Sequence, residues 1–215
     1  MALYVGVISQ KGGVGKSTIC RLVATLYASN GWNVKIADLD TKQGTCTEWK
    51  RIRDHAGIDP AISVETFRSV EQVKKIEKNH DMILFDGAPH SSKQTLDVTR
   101  VSDLVILPSG PALDDLRPTV LLAHELTDSG IKSSNIFFAL CRVGDSTAEI
   151  EEARSYINRA GYQVFEGEIP ERVGYRRASD RGLSLLEVPI KSLKEKLEPL
   201  AKNLADQITK IQNEG

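Results

Sequence analysis

Ser9-Gln10-Lys11-Gly12-Gly13-Val14-Gly15-Lys16-Ser17-Thr18 is the stretch from which the rest of the chain can be read. Ahead of it runs Leu3-Tyr4-Val5-Gly6-Val7-Ile8, an apolar segment whose β-branched content marks a buried strand. Behind it, Ile19, Leu22, Val23 and Leu26 fall on one face of a helix. Strand, glycine-rich turn and helix form the setting that a phosphate-binding loop requires. Glycines let the backbone turn sharply and bring its N–H groups close to phosphate oxygens. The helix N-terminus adds partial positive charge and Lys16 a full one, placed for β- and γ-phosphates. Ser17 supplies a hydroxyl suited to the Mg²⁺ that accompanies a nucleotide. Gly12, Gly13, Val14, Gly15, Lys16, Ser17 and Thr18 are therefore candidate nucleotide contacts.

The general pattern G-x-x-x-x-G-K-[ST] asks for glycine where this chain has Gln10, and a second lysine, Lys11, precedes the paired glycines. Two lysines are more charge than one triphosphate's cradle needs, so Lys11 is expected to serve a different phosphate. The segment Lys11 to Thr18 resembles the deviant Walker A motif of the ParA/MinD family of P-loop ATPases. The resemblance implies ATP and Mg²⁺ as cofactors, a homodimer formed on ATP binding, and Lys11 crossing to the partner's nucleotide. Lys11 and Lys16 then both count as catalytic.

With 215 residues, 40% hydrophobic and 27% charged, the chain suits one sizeable α/β domain, here residues 1–215. A formal net charge of −1 gives no bulk attraction to polyanions, so any DNA or membrane binding must come from a local patch. Cys20, Cys46 and Cys141 lie far apart without metal-ligand spacing and read as buried free thiols. They lack the pattern of the nitrogenase iron protein, a cluster-holding relative. The chain enters its first strand without a signal-type core, and no apolar run approaches the ~18 residues of a membrane span. A cytoplasmic location is the expectation.

Strand patterns at Leu3–Ser9, Val34–Asp38, Ile62–Thr66, Met82–Asp86, Leu104–Pro108, Ile136–Cys141 and Val164–Ile169 alternate with helical patterns. The helices are expected at Ser17–Asn30, Thr47–His55, Val70–Asn79, Lys93–Val101, Leu116–Ser129 and Thr147–Ala160. This alternation predicts a doubly wound, largely parallel sheet with helices on both faces, an α/β fold of P-loop NTPase type. Ligands in such folds sit at the carboxyl ends of the strands, so the residues there are the ones to read for chemistry.

The second strand ends Ala37-Asp38-Leu39-Asp40, which resembles the family's Asp-x-Asp-Pro-Gln segment. That resemblance makes Asp40 the hydrolytic carboxylate, while Asp38 joins Ser17 and Asp86 as a metal-site candidate. Thr41 replaces the proline, and the path to Gln43 is one residue longer. The competing reading is that both aspartates cap the following turn and helix. Met82-Ile83-Leu84-Phe85-Asp86 has the Walker B pattern, and Gly87-Ala88-Pro89 resembles the turn that follows it. His90 reads as a solvated loop residue. Asp114 or Asp115 reads as a cap of the next helix. Cys141 stands where many relatives have an adenine-contacting asparagine, so the base contact must come from elsewhere.

Glu168-Ile169-Pro170-Glu171-Arg172 through Ala178 resembles a segment of plasmid partition ATPases in which the proline loop lines the adenine pocket, making Pro170 a candidate contact. Arg172, Arg176 and Arg177, with Arg181 nearby, are candidate contacts to DNA phosphates, against the alternative of a solvated helix face paired with Glu171 and Asp180. The tail from Ile190 through Ile211 is amphipathic and broken near Pro199; without Trp or Phe, it suits docking on the sheet better than a membrane surface. Across its length the chain resembles the small ParF-like partition ATPases. That implies slow ATP hydrolysis, nonspecific DNA binding, nucleoid association and a ParB-type adaptor that stimulates turnover. A MinD-like membrane switch, a ParA-like ATPase positioning protein cargo or assisting DNA transfer, and a metabolic P-loop enzyme are the alternatives.

Overall fold

Strand residues alternate between two cores, and that alternation builds the molecule. In the computed structural model, which describes residues 2–88 and 92–214, β1 (Leu3–Val7) sends Leu3, Val5 and Val7 to one face and Tyr4 to the other. The pattern repeats along β2 (Val34–Asp38), β4 (Met82–Asp86), β5 (Leu104–Ser109) and β6 (Ile136–Val143). Strands that are apolar on both faces need cover on both, and helices supply it.

On one face lie α1 (Lys16–Ala28), α2 (Thr45–His55), α7 (Val173–Ser179) and α9 (Glu198–Glu214). The other carries α3 (Val70–Lys74), α4 (Ser92–Val101), α5 (Leu113–Asp128) and α6 (Thr147–Arg159). With β3 (Ser63–Thr66), β7 (Gln163–Val164) and β8 (Ile169–Pro170), the strand order is β3-β2-β4-β1-β5-β6-β7, and β8 pairs with β6. Every pairing among the described residues is parallel. The expected doubly wound α/β sheet is the fold found. From β1 the chain first builds the β2 side, with β4 inserted between, and then crosses to β5. This switch opens a crevice at the carboxyl end of β1.

Three segments depart from the sequence reading. The expected strand Val164–Ile169 is two short strands, because the intervening carbonyls are drawn away from the sheet. Arg154 donates to the Phe165 and Gly167 carbonyls, both at 2.8 Å, and pairs with Glu168 at 3.0 Å. Gly167 has φ +74° and lies so close to α9 that a Cβ would meet the Leu200 nitrogen at 2.5 Å. The expected helix Val70–Asn79 is α3 followed by a 3₁₀ turn at Glu77–Asn79. Residues 173–179, outside the expected helix ranges though weighed as a helix face, form α7. Pro89 and His90 lie outside the described residues.

The tail packs as expected. It breaks between α8 (Lys191–Glu195) and α9, with Pro199 in the first turn of α9, where a missing N–H costs nothing. Leu197, Leu200, Leu204 and Ile208 are buried in the core that α1 shares. No helix among the described residues is long and apolar enough to cross a membrane. Since Leu204 is 1% exposed, Leu204→Ala is expected to cost about 2–5 kcal/mol, read as a lowered urea midpoint at unchanged slope. A shift within error would mean that the tail is not part of the cooperative core.

Candidate functional site

The crevice at the end of β1 is a cavity of about 870 Å³. Gly12, Gly13, Gly15, Lys16, Ser17 and Thr18 line it together with Asp86 and Gly87. Asp40, Gln43 and Thr45 form one wall. Cys141, Arg142 and the stretch from Ile169 to Val173 form the opposite one, continued by Tyr175, Arg176 and Arg177 of α7. Pro170 is therefore in the cavity wall, as its candidacy requires. Arg21, Ser179, Asp180 and Leu183 to Leu185 complete the lining.

Gly15 caps α1 in a left-handed conformation, φ +113°, and a Cβ there would meet the Cys141 sulfur at 3.1 Å. Only glycine lets the loop turn while β6 stays this close. The first N–H groups of α1 have no partner within the helix and mark the anion-attracting end. Lys16 is 8% exposed, and its amine donates to the Lys11 carbonyl at 3.2 Å. Burial lowers its pKa, opposed by the nearby Asp86 and Asp40 carboxylates. A desolvated ammonium whose contact is a neutral carbonyl suits an incoming phosphate.

The sheet register sets Asp38 of β2 beside Asp86 of β4. Asp86 is 2% exposed, and burial pushes its pKa up to about 6, against the pull of hydrogen bonds from Ser17 and Cys46. Asp38 is fully buried and does not line the cavity. Its Oδ2 accepts from the N–H groups of Cys46 (3.2 Å) and Thr47 (3.3 Å), and its Oδ1 from that of Asp40 (3.1 Å). The carboxylate thus caps α2, which makes the capping reading true of Asp38 in this state. Asp40 faces the cavity; its Oδ1 accepts from the N–H groups of Lys42 (3.2 Å) and Gln43 (3.1 Å), and its carbonyl accepts from that of Gly44 at 2.8 Å. The longer path to Gln43 is absorbed in this turn.

Lys11 and Val14 do not line the cavity. Val14 is buried, and the Lys11 side chain is about half exposed and ion-paired with Asp115 in the first turn of α5. Asp115 therefore holds a lysine, and the N-cap position of α5 belongs to Ala112. A partner 104 residues away leaves no local signal in the sequence. The arginine candidates divide: Arg172 pairs with Asp145 and Arg176 with Glu171, while Arg177 makes no ion pair among the described residues. Arg142, in a left-handed conformation at φ 57°, reaches the Gly13 carbonyl at 3.4 Å. All three cysteines are buried and free.

Residues 5–186 match the CobQ/CobB/MinD/ParA nucleotide binding domain. The chain is 29% identical over 195 residues to the maintenance of carboxysome distribution protein A of Gloeobacter kilaueensis, covering 89% of this chain and 87% of that one. It is 28% identical over 162 residues to the chromosome-partitioning ATPase Soj of Thermus thermophilus, covering 72% and 64%. The septum site-determining protein MinD of Pyrococcus horikoshii, solved with Mg-ADP, shares the fold at a TM-score of 0.76 and 18% identity, over 98% of this chain and 99% of that one.

The raised pKa of Asp86 has a stability consequence. The folded protein keeps this proton up to about pH 6, whereas the ordinary aspartate value of 3.8 applies once the chain unfolds. Stability therefore falls as pH rises between those values, by roughly 3 kcal/mol, and stays lower above them. Asp86→Asn is expected to stabilise the ligand-free protein at pH 8 and to lose that advantage near pH 4, as measured by urea denaturation at both. An advantage independent of pH would show that the charge is not its source.

Proposed function

The chain belongs to the CobQ/CobB/MinD/ParA nucleotide-binding family, and from that premise we propose that it is a ParA-type ATPase that segregates plasmid or chromosomal DNA. The observation that carries this reading is the separation of the two lysines. Lys16 is buried in the cavity, while Lys11 stands outside it, half exposed, on the same loop. A cation that its own cavity does not use is available to a nucleotide held by a second copy.

In this reading the loop N–H groups and Lys16 hold the phosphates of ATP. Ser17 and Asp86 hold Mg²⁺, and Asp38 acts one step behind them by fixing α2. The bound metal supplies charge neutralisation at the phosphates. Asp40 orients the attacking water, and Pro170 borders the base. Lys11 leaves Asp115 and crosses to the partner's phosphates, so assembly requires ATP. DNA is bound without sequence preference, and a ParB-type adaptor on the cargo stimulates slow hydrolysis. Two relatives with different cargoes in their names, a carboxysome-distribution protein and a chromosome-partitioning ATPase, support positioning as the shared task. A protein cargo is the second reading, favoured by the longer match to the former. The burial of the apolar stripe of α9 argues against a membrane role for it.

Lys16→Ala is expected to abolish ATP binding, whereas Lys11→Ala retains it and loses ATP-driven dimerisation, followed by light scattering. Asp115→Ala releases the lysine and lowers the ATP concentration at which dimers form. A Lys11→Ala protein that dimerises with ATP would sink the crossed-lysine reading. Asp40→Ala should bind ATP and dimerise but fail to turn over.

DNA binding is expected to depend on ATP and to weaken steeply with salt. Arg177→Glu should lower both the affinity and the salt slope, the latter by about 0.9 for each phosphate no longer neutralised. Equal binding by parent and variant would place the DNA face elsewhere, and binding of a protein cargo without DNA would favour the second reading.

A further inference from the structure

Arg21 lies on α1, beyond Lys16, and is 8% exposed. One of its terminal nitrogens donates to the Thr45 carbonyl at 2.5 Å and the other to the Ser179 hydroxyl at 2.9 Å. The guanidinium carbon stands 5.3 Å from the centroid of the Trp49 ring. Its Nε is buried without a partner among the described residues. An incompletely satisfied buried cation costs free energy that an apolar side chain of similar size avoids. What the arginine provides is a link between two elements that lie far apart in the sequence.

Those elements are the two walls of the cavity. Thr45 opens α2, immediately after the turn that Asp40 and Gly44 close. Ser179 ends α7, whose exposed Arg176 and Arg177 line the same cavity. We infer that Arg21 is a positioning residue that couples α7 to the Asp40 turn, so that a displacement of α7 passes through Ser179, Arg21 and Thr45 to the carboxylate wall. The catalytic consequence rests on the proposed role of Asp40, whereas the mechanical link does not. A direct chain of contacts supplies the physical route.

The test removes one hydroxyl at the far end of the link. In the nucleotide-free protein, Ser179→Ala is expected to accelerate hydrogen exchange at the amides of residues 44–47 about fivefold, although they belong to another helix. Arg21→Met gives at least that acceleration and Arg21→Lys a smaller one. At saturating Mg-ATP, kcat of Ser179→Ala falls about fivefold and KM moves less. Unchanged exchange at residues 44–47 in Ser179→Ala overturns the coupling. If exchange accelerates while kcat holds in both Ser179→Ala and Asp40→Ala, the link stands and the hydrolytic role of Asp40 fails. If Asp40→Ala abolishes turnover but Ser179→Ala leaves kcat unchanged, the catalytic reach of the link is overturned.

Discussion

Two carboxylates side by side at the carboxyl edge of a buried sheet are the constraint on which this site depends. Parallel pairing of β2 with β4 puts Asp38 and Asp86 in register, and neither has appreciable contact with solvent. Two such charges repel and lose their hydration, so each needs its own compensation. Asp38 finds part of it in the first N–H groups of α2, whose helix dipole favours an anion, although burial still raises its pKa. Asp86 has hydrogen bonds from Ser17 and Cys46 and the charge of Lys16, and still its pKa stays high. The positions of α1 and α2 are thus tied to the electrostatics of two strand ends. The less compensated carboxylate is the one beside the serine hydroxyl, where a divalent cation would lower its cost.

The two lysines of the loop differ first in solvation. Lys16 is desolvated next to acidic groups and bonded to a carbonyl, so an anion replacing that carbonyl improves its surroundings. Lys11 keeps much of its hydration, and its ion pair with Asp115 is partly exposed on both sides. Exposed pairs contribute about 0–1 kcal/mol, so this one is easily exchanged for a stronger partner. A residue held that weakly can change partners without disturbing the fold, whereas moving Lys16 would disturb the loop itself.

The doubly wound sheet was legible because buried parallel strands are short apolar runs, and the loop at residues 9–18 was legible because its glycines and lysines are contiguous. What the sequence hid depends on distance. The split of β7 from β8 comes from Arg154 and from the backbone of Leu200, contacts that no local pattern contains. The partner of Lys11 lies on α5, and the cap of α2 comes from the end of a strand. Arg21 did leave a signal: a charge amid Ile19, Leu22 and Val23, on a helix otherwise read by its apolar face. Sequence patterning shows such a residue to be out of place but cannot name Thr45 and Ser179 as its partners.

The arginines of the core and of the cavity rim can be sorted by what it would cost to free them. Arg53 is fully buried, paired with Glu187 through two 2.7 Å bonds and bonded to the Pro60 and Gly182 carbonyls. Breaking one side of such a pair leaves an uncompensated charge, at about 3–5 kcal/mol, so Arg53 is fixed architecture. The pair between Arg176 and Glu171 is largely exposed on both sides, and Arg142 is 3.4 Å from the same carboxylate. One carboxylate shared by two exposed arginines cannot hold either strongly, and salt screens both. A polyanion has only to outcompete Glu171, a weak competitor, to engage these cations. The carboxylate at the rim therefore restrains the attraction of anions to these arginines without removing the capacity for it.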